Sequence, residues 1–191
     1  PHPFTNVIFL DNHDVTRFFT ETGKNMDVFK MALSFIMTTR GIPQFYYGTE
    51  LVMEGDKNRG DGYLREDFPG GWKGDSKNAF TLTGLSATEK EAYDFTKRLL
   101  NWRKEKGVIH NGKLKQFIPD DGLYVFFRYN DSESVMIIIN NSNRLRTLTK
   151  ERYNEVMHGY KTGFEVNTGI MLDDLSSITV PPKTAMIIEL R

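Results

Sequence analysis

Four residues that can carry chemistry stand together near the start of the chain: Asp11, Asn12, His13 and Asp14. They directly follow the apolar residues 7–10, a run that is typical of a strand buried on both faces of a parallel sheet. Carboxylate and imidazole groups at the end of such a strand are characteristic of active sites in barrel enzymes. A second interpretation needs no chemistry, because Asn and Asp also stabilise turns through side-chain hydrogen bonds. The four residues alone leave both interpretations open.

The residues that follow predict how this group is held. We expect a strand at 6–10, a helix at 27–40 whose apolar residues recur every three or four positions, and a second strand at 42–47. Gly41 is expected just past the C-terminus of the helix. Two strands joined by a helix make one βαβ unit, in which the strands run parallel and the crossover is right-handed. The group that begins at Asp11 therefore lies at the carboxyl end of a parallel sheet.

A long connection separates this unit from the next predicted helix. Residues 49–85 are rich in Gly and Asp, and connections of this length are usually functional or disordered. The aromatic residues within it, Trp72 among them, argue against disorder. Ser86 and Glu89 have the spacing of a capping box, which predicts the start of a helix over residues 86–106.

From residue 107 onward the sequence changes to short β-branched or alternating runs separated by turn signals. This spacing is typical of an antiparallel β-sandwich. We therefore expect two domains, residues 1–106 and residues 107–191, with a short helix around 150–156 in the second. The expected strands of the second domain are 113–118, 123–129, 135–140, 177–180 and 185–190.

The composition argues against several classes of function. Lysine plus arginine and aspartate plus glutamate each number 25, so no net charge favours nucleic acid or anionic lipid. The chain has no cysteine, which excludes disulfides and thiolate metal sites. No run reaches the roughly 18 apolar residues that a membrane span requires. The acidic stretch from Glu54 to Asp61 lacks the spacing of a calcium loop, so we expect no metal and no cofactor.

Three blocks of the sequence resemble one known family. F-L-D-N-H-D at residues 9–14, G-I-P-Q-F-Y-Y-G-T-E at 41–50 and R-E-D-F-P-G-G-W at 65–72 are similar to blocks of the α-amylase family of glycoside hydrolases, most of all neopullulanases and cyclomaltodextrinases. The resemblance implies a (β/α)8 TIM barrel followed by an antiparallel β-sandwich. Residues 1–106 would then supply the last two strands and helices of the barrel, and residues 107–191 the sandwich. The presence of all three blocks in this order favours the catalytic interpretation of the first one.

The resemblance also implies roles for single residues. Asp14 matches one of three catalytic carboxylates of the family, the one that holds hydroxyls of the distorted sugar ring, and His13 matches a histidine that binds the same ring. Asp61 and Arg65 match a pair that hydrogen-bonds sugar hydroxyls, although their spacing alone also fits a local salt bridge. Asn12 is a further candidate for substrate binding, and its alternative role is to support the turn.

Other residues near this group have less specific interpretations. Tyr63 is a candidate for substrate binding by stacking on a sugar ring, whereas Phe68 is expected to be buried. Arg17, three residues after Asp14, could contact the substrate, but it is interpreted first as a surface or loop-bracing residue. Asp11 is left undecided, and Glu50 is expected to support the site without a catalytic role.

The resemblance implies that the nucleophile and the general acid lie on earlier strands, before residue 1. We therefore expect the C-terminal fragment of a retaining α-glucan hydrolase, inactive alone, whose parent cleaves α-1,4 or α-1,6 bonds of maltooligosaccharides. Two strands cannot close a barrel, so the expected partner is the missing N-terminal part of the barrel or, by self-association, a second copy. The alternatives are a transglycosylase of the same family and a non-catalytic carbohydrate-binding or assembly module.

Overall fold

A computed structural model describes residues 6–191, and residues 1–5 of the expected first domain lie outside the described residues. The first part of the fold combines a parallel strand pair with helices, and the second part is antiparallel β-structure. The elements of the first part are β1 (Val7–Ile8), α1 (Phe18–Glu21), α2 (Met26–Thr38), β2 (Ile42–Pro43), α3 (Ala87–Glu105) and α4 (Gly107–Asn111). Between β2 and α3 the chain makes 3₁₀ turns at Thr49–Leu51, Lys57–Arg59 and Asp61–Leu64.

The predicted βαβ unit is present, with Val7 opposite Ile42 in parallel register and α2 on the connection between them. Both strands are shorter than the predicted ranges 6–10 and 42–47. The prediction that both strands are buried on both faces is wrong within the described residues 6–191, because Val7 is 55% and Ile42 is 52% exposed. The physical reason is that no further strand lies beside this pair among the described residues. That part of the chain therefore contains one parallel pair and not a barrel.

Helix α2 begins and ends within two residues of the prediction. Its N-cap is Asn25, whose side-chain oxygen accepts hydrogen bonds from two backbone N–H groups of the first turn, at 3.0 and 3.1 Å. The helix ends at Thr38, so Gly41 does not terminate it as expected. Gly41 is instead required by the close approach of β1, because a Cβ at this position would lie 2.9 Å from the carbonyl oxygen of Asn6.

Helix α3 begins with the predicted capping box. The Ser86 N–H donates to Glu89 Oε2 at 2.7 Å, and the Glu89 N–H donates to Ser86 Oγ at 3.2 Å. Ala92, Phe95 and Leu99 are buried and form the inward face of the helix. Its outward face carries charged residues, and within residues 6–191 no helix is both long and apolar enough to cross a membrane.

The antiparallel part contains a six-stranded sheet and a two-stranded sheet. Its elements are β3 (Lys113–Gln116), β4 (Leu123–Tyr129), β5 (Ser134–Asn140), β6 (Arg146–Thr149), the 3₁₀ turn Lys150–Tyr153, α5 (Asn154–Met157), β7 (Gly163–Glu165), β8 (Ile170–Leu172), β9 (Ser177–Val180) and β10 (Thr184–Leu190). The large sheet has the order β3-β4-β5-β10-β7-β8, and β6 pairs with β9. The sequence predicts five of these strands to within two residues and does not predict β6, β7 or β8.

The large sheet is covered by apolar layers on both faces. On one face Ile137 of β5 belongs to a buried cluster that includes Leu33 of α2. On the other face Ile138 belongs to a cluster that includes Leu148 of β6 and Ile178 of β9. Alternation along β5 produces this division, because successive side chains of a strand point to opposite faces. The sheet thus lies between a helical layer and the small second sheet.

Arg128 of β4 links the two parts of the fold. Its side chain is fully buried, and its guanidinium donates to the carbonyls of Thr38 at 3.0 Å, Thr39 at 3.1 Å and Gly112 at 2.9 Å. Burial, together with the positive charges of neighbouring arginines, lowers the pKa of Arg128 to about 10. The C-terminal end of α2 is therefore held to the large sheet by a buried cation.

Candidate functional site

Two separated stretches of the chain meet in one hydrogen-bonded group, which we call the Arg65 cluster: His13, Asp14, Asp61 and Arg65. Arg65 Nη2 lies 3.2 Å from Asp14 Oδ1 and 3.1 Å from Asp61 Oδ2, and its Nε donates to the His13 carbonyl at 3.1 Å. His13 Nε2 lies 3.2 Å from Asp14 Oδ2. All four side chains are exposed, so a ligand can reach their polar atoms.

The turn after β1 separates supporting residues from projecting ones. Asp11 is 3% exposed, and its carboxylate accepts hydrogen bonds from the Phe18 N–H at 2.9 Å and the Thr49 hydroxyl at 3.1 Å. Burial raises the pKa of Asp11, and the two hydrogen bonds oppose this rise. Asn12 Oδ1 accepts from the Asp14 N–H at 2.8 Å, which is the turn-supporting role expected as its alternative. A substrate contact by Asn12 stays a prediction.

The carboxylate of Asp61 lies between two cations. Lys57 Nζ is 2.5 Å from Asp61 Oδ1, and Arg65 is bound to the other oxygen. The hydrogen bond and charge of Lys57, followed by the charge of Arg65, lower the pKa of Asp61. The local salt bridge that the spacing allows is therefore present. It keeps the carboxylate ionised, and an ionised carboxylate is a strong acceptor for sugar hydroxyls.

Tyr63 lies in the same 3₁₀ turn but outside the Arg65 cluster. Its side chain is 40% exposed, and the Arg59 guanidinium lies 3.8 Å above the centre of its ring. A cavity of about 340 Å³ opens beside it, lined among others by Thr20 and Asp56. One face of the ring is occupied by Arg59, so stacking on a sugar would use the other face, and this role stays a prediction.

Arg17 is not a surface residue, and that part of its interpretation is wrong. It is 1% exposed, its Nε donates to the Leu64 carbonyl at 3.0 Å, and its Nη1 donates to the Tyr47 carbonyl at 2.6 Å. The guanidinium carbon lies 4.0 Å from the ring centre of Tyr46. The alternative interpretation, a loop-bracing residue, agrees with these contacts. No local signal reveals them, because the bonded carbonyls lie 30 and 47 residues away.

Glu50 follows Thr49 in the first 3₁₀ turn, seven residues after the end of β2. Burial raises the pKa of Glu50, which is opposed by backbone hydrogen bonds and by the charge of Arg17. This carboxyl therefore belongs to the buried base of the site and not to its exposed face. Within residues 6–191, no three His, Asp or Glu side chains are grouped so that they could hold a metal ion.

A domain-family model, related sequences and a solved structure that are similar to this chain all belong to one family. Residues 114–189 match the family model of the cyclo-malto-dextrinase C-terminal domain. The chain is 28% identical over 192 residues to a β/α-amylase of Paenibacillus polymyxa, covering 96% of this chain and 14% of the relative. It is 32% identical over 158 residues to α-amylase 3 of Dictyoglomus thermophilum, covering 74% of this chain and 31% of the relative.

The solved structure of CldA, a cyclomaltodextrin glucanotransferase with a three-domain ABC distribution, is similar to the fold. It superposes with a TM-score of 0.73 at 25% identity, covering 99% of this chain and 37% of that chain. The similarity therefore extends over both the parallel and the antiparallel part. The chain spans between about a seventh and a third of the length of the two curated relatives named above.

Proposed function

Since the chain belongs to the α-amylase family of glycoside hydrolases, we propose that it is the C-terminal part of a retaining enzyme acting on starch-derived oligosaccharides. The bonds cleaved would be α-1,4 glucosidic bonds, with α-1,6 bonds as the alternative, in the manner of neopullulanases. The names of the relatives, which include amylases, support an α-glucan as the substrate.

Within this proposal, the Arg65 cluster binds two adjoining sugar rings on the non-reducing side of the reacting bond. Asp14 accepts hydrogen bonds from hydroxyls of the ring that becomes an oxocarbenium-like species, and its negative charge favours that developing positive charge. His13 donates to the same ring, for which a neutral imidazole is sufficient. Asp61 and Arg65 hold the hydroxyls of a neighbouring ring. The nucleophile and the acid would come from other strands of the barrel.

One observation carries the proposal. His13 and Asp14 are separated from Asp61 and Arg65 by about fifty positions, yet direct hydrogen bonds join them into one exposed cluster. His13 and Asp14 belong to the first sequence block, whereas Asp61 and Arg65 are a pair of residues four positions apart in the long connection. A capped turn would explain Asn12 and Asp11, but it gives no reason for Asp14 to face an arginine from a distant loop.

The exposed apolar residues of the parallel pair support a further part of the proposal, the completion of a (β/α)8 barrel. Val7, Phe9 and Ile42 are 55%, 46% and 52% exposed. Complete burial of such a side chain contributes roughly 1.5–3 kcal/mol, and side chains that are about half exposed forgo about half of this. We therefore expect these strands to be covered by the remaining strands of the barrel in the whole protein, or by a second copy when the 191-residue chain is alone.

The test is the hydrolysis of maltodextrin by the whole protein that contains this chain. Asp14→Asn should lower kcat by about 10⁴-fold, because it removes a member of a cooperating catalytic set. The matched control is Asp174→Asn, which changes an exposed aspartate of the second part whose carboxylate accepts hydrogen bonds from Ser176, and it should stay within twofold of wild type. An Asp14→Asn enzyme that keeps a tenth of its activity would refute the assignment.

The isolated chain supplies an independent test of the same proposal. Purified residues 1–191 should release no reducing sugar from maltodextrin, because they hold only one of the three carboxylates that the family mechanism needs. Turnover by the isolated chain would refute the division of catalytic residues.

Arg65→Lys in the whole protein should chiefly raise KM, since lysine loses the planar fork that contacts two partners.

Transfer to a sugar acceptor is the second candidate function, and the similarity to a cyclomaltodextrin glucanotransferase favours it. Hydrolysis and transfer share the bond-breaking step and differ only in whether water or a sugar hydroxyl attacks the glycosyl-enzyme. Product analysis separates them, because hydrolysis of maltohexaose gives only shorter chains, whereas transfer also gives longer or cyclic ones.

A further inference from the structure

Arg17 lies three residues after Asp14 and hydrogen-bonds to the loop that carries Asp61 and Arg65. Its backbone N–H donates to the Gly55 carbonyl at 2.9 Å, and its Nε and Nη1 donate to the carbonyls of Leu64 and Tyr47 at 3.0 and 2.6 Å. Leu64 directly precedes Arg65 in the chain. A single side chain therefore joins the turn after β1, the end of β2 and the loop that carries the cluster's arginine.

The surroundings of Arg17 hold its guanidinium in one orientation. The guanidinium carbon lies 4.0 Å from the ring centre of Tyr46 and 4.9 Å from that of Tyr47. Stacking on aromatic rings stabilises a buried guanidinium and fixes its plane. The hydroxyl of Tyr47 also donates to the Glu66 carbonyl at 2.9 Å, so the loop is held on both sides of Arg65.

The backbone of the loop is shaped to accept this side chain. Gly55 approaches so closely that a Cβ there would lie 2.3 Å from the Tyr63 carbonyl oxygen and 2.8 Å from Arg17 Cγ. Such distances are not tolerated without backbone movement. The loop at Gly55 and the aliphatic stem of Arg17 thus pack as a matched pair, which would be unnecessary if Arg17 only neutralised nearby carboxylates.

We propose that Arg17 is a positioning residue that sets the place of Arg65 relative to Asp14, and so sets the geometry of sugar binding. The effect of Arg17 on sugar binding rests on the proposed function, whereas its effect on the position of Arg65 does not. Arg17 has no exposed atoms with which to contact a sugar, so its effect is transmitted through the Leu64 carbonyl to Arg65. Lysine cannot replace it, because one ammonium cannot donate along both fixed directions of the fork.

The experiment compares amide hydrogen exchange in Arg17→Lys and Arg128→Lys variants of the 191-residue chain, without sugar. Arg128 is the matched control, since it is also a buried arginine that donates to backbone carbonyls, but at the junction with the large sheet. Arg17→Lys should speed exchange of residues 57–65 by about tenfold or more and leave the strand residues 135–139 unchanged. Arg128→Lys should leave residues 57–65 at the wild-type rate.

Loop exchange that is unchanged in Arg17→Lys, or accelerated equally in Arg128→Lys, would overturn the proposal. If Arg17→Lys does not fold, hydrogen exchange of the Arg17 side chain is measured in the wild-type chain instead. The Arg17 Nε–H and the hydrogen-bonded amides of residues 57–65 should then have the same protection factor, each relative to its own unprotected exchange rate, and protection factors that differ by more than about tenfold would overturn it.

A second readout tests the consequence for sugar binding. In the whole protein, Arg17→Lys should lower kcat/KM for maltohexaose by about 10²-fold, as small misplacements of binding groups do, with Arg128→Lys unchanged at a temperature where both are folded. A wild-type protein that does not act on maltohexaose would refute the proposed function, while the exchange experiment would still decide the role of Arg17.

Discussion

Replacement of Arg128 by methionine tests how the two parts of the fold are joined. The variant keeps a long side chain but removes hydrogen bonds to three buried carbonyls. Hydrogen bonds from a charged donor contribute about 1.5–3 kcal/mol each, so the three together contribute about 4.5–9 kcal/mol. Against this, burial lowers the pKa of Arg128 from its ordinary value to about 10, which corresponds to about 3 kcal/mol of unfavourable free energy for the charged form.

The difference between these contributions predicts that Arg128→Met destabilises the chain by about 2–6 kcal/mol. Urea unfolding followed by tryptophan fluorescence measures this, and a slope of about 2 kcal/mol per molar urea gives a midpoint lowered by about 1–3 M. Arg152→Met is the control, because Arg152 is exposed and should change the free energy of unfolding by less than about 0.5 kcal/mol. If Arg128→Met unfolds at the wild-type midpoint, the buried cation is not what joins the two parts.

Two further predictions concern single contacts elsewhere in the fold. Burial raises the pKa of Glu189, but hydrogen bonds that include one from Lys106 outweigh this effect, so the net shift of the pKa is downward. Glu189→Gln should therefore be less stable than wild type at pH 7. Thermal melts should show that this stability difference disappears as the pH falls from the ordinary glutamate pKa of 4.5 through the lowered pKa of Glu189. A stability difference between wild type and Glu189→Gln that grows as the pH falls would contradict the lowered pKa of Glu189. Gly55→Ala should destabilise the chain by about 1–3 kcal/mol because its Cβ would meet the Tyr63 carbonyl, whereas Gly62→Ala, with nothing within 4 Å, should have little effect in the same urea titration.

Local signals in the sequence were sufficient for elements that are stabilised locally. The capping box at Ser86 predicts the start of α3, and the short apolar and β-branched runs between turn signals predict the bounds of β4 and β5. The sequence does not predict strands β7 and β8, because each is only three residues long and the two flank a turn. Glu165 within β7 is 2% exposed, and hydrogen bonds from the Asn167 and Ile187 N–H groups, among others, satisfy it. A buried carboxylate of this kind has no apolar signature.

The candidate site was predictable to the extent that its residues act through their own side chains. His13, Asp14, Asp61 and Arg65 are of types that bind sugars; two sequence blocks contain His13, Asp14 and Arg65, and Asp61 lies four positions before Arg65. Arg17 could not be placed because its partners are backbone carbonyls, which any sequence supplies. The parallel strands were predicted too long because continuous apolar runs indicate burial by neighbouring strands, and residues 6–191 contain no such neighbours.

The central claim is that the Arg65 cluster holds an α-glucan, and a crystal structure of the whole protein with maltohexaose tests it most directly. The Asp14→Asn variant would be used so that the sugar is not cleaved. We predict electron density for one sugar ring within hydrogen-bond distance of position 14 and of His13, with hydroxyls of the adjoining ring bound by Asp61 and Arg65. Sugar bound elsewhere on the protein, with these four positions facing solvent, would contradict the account.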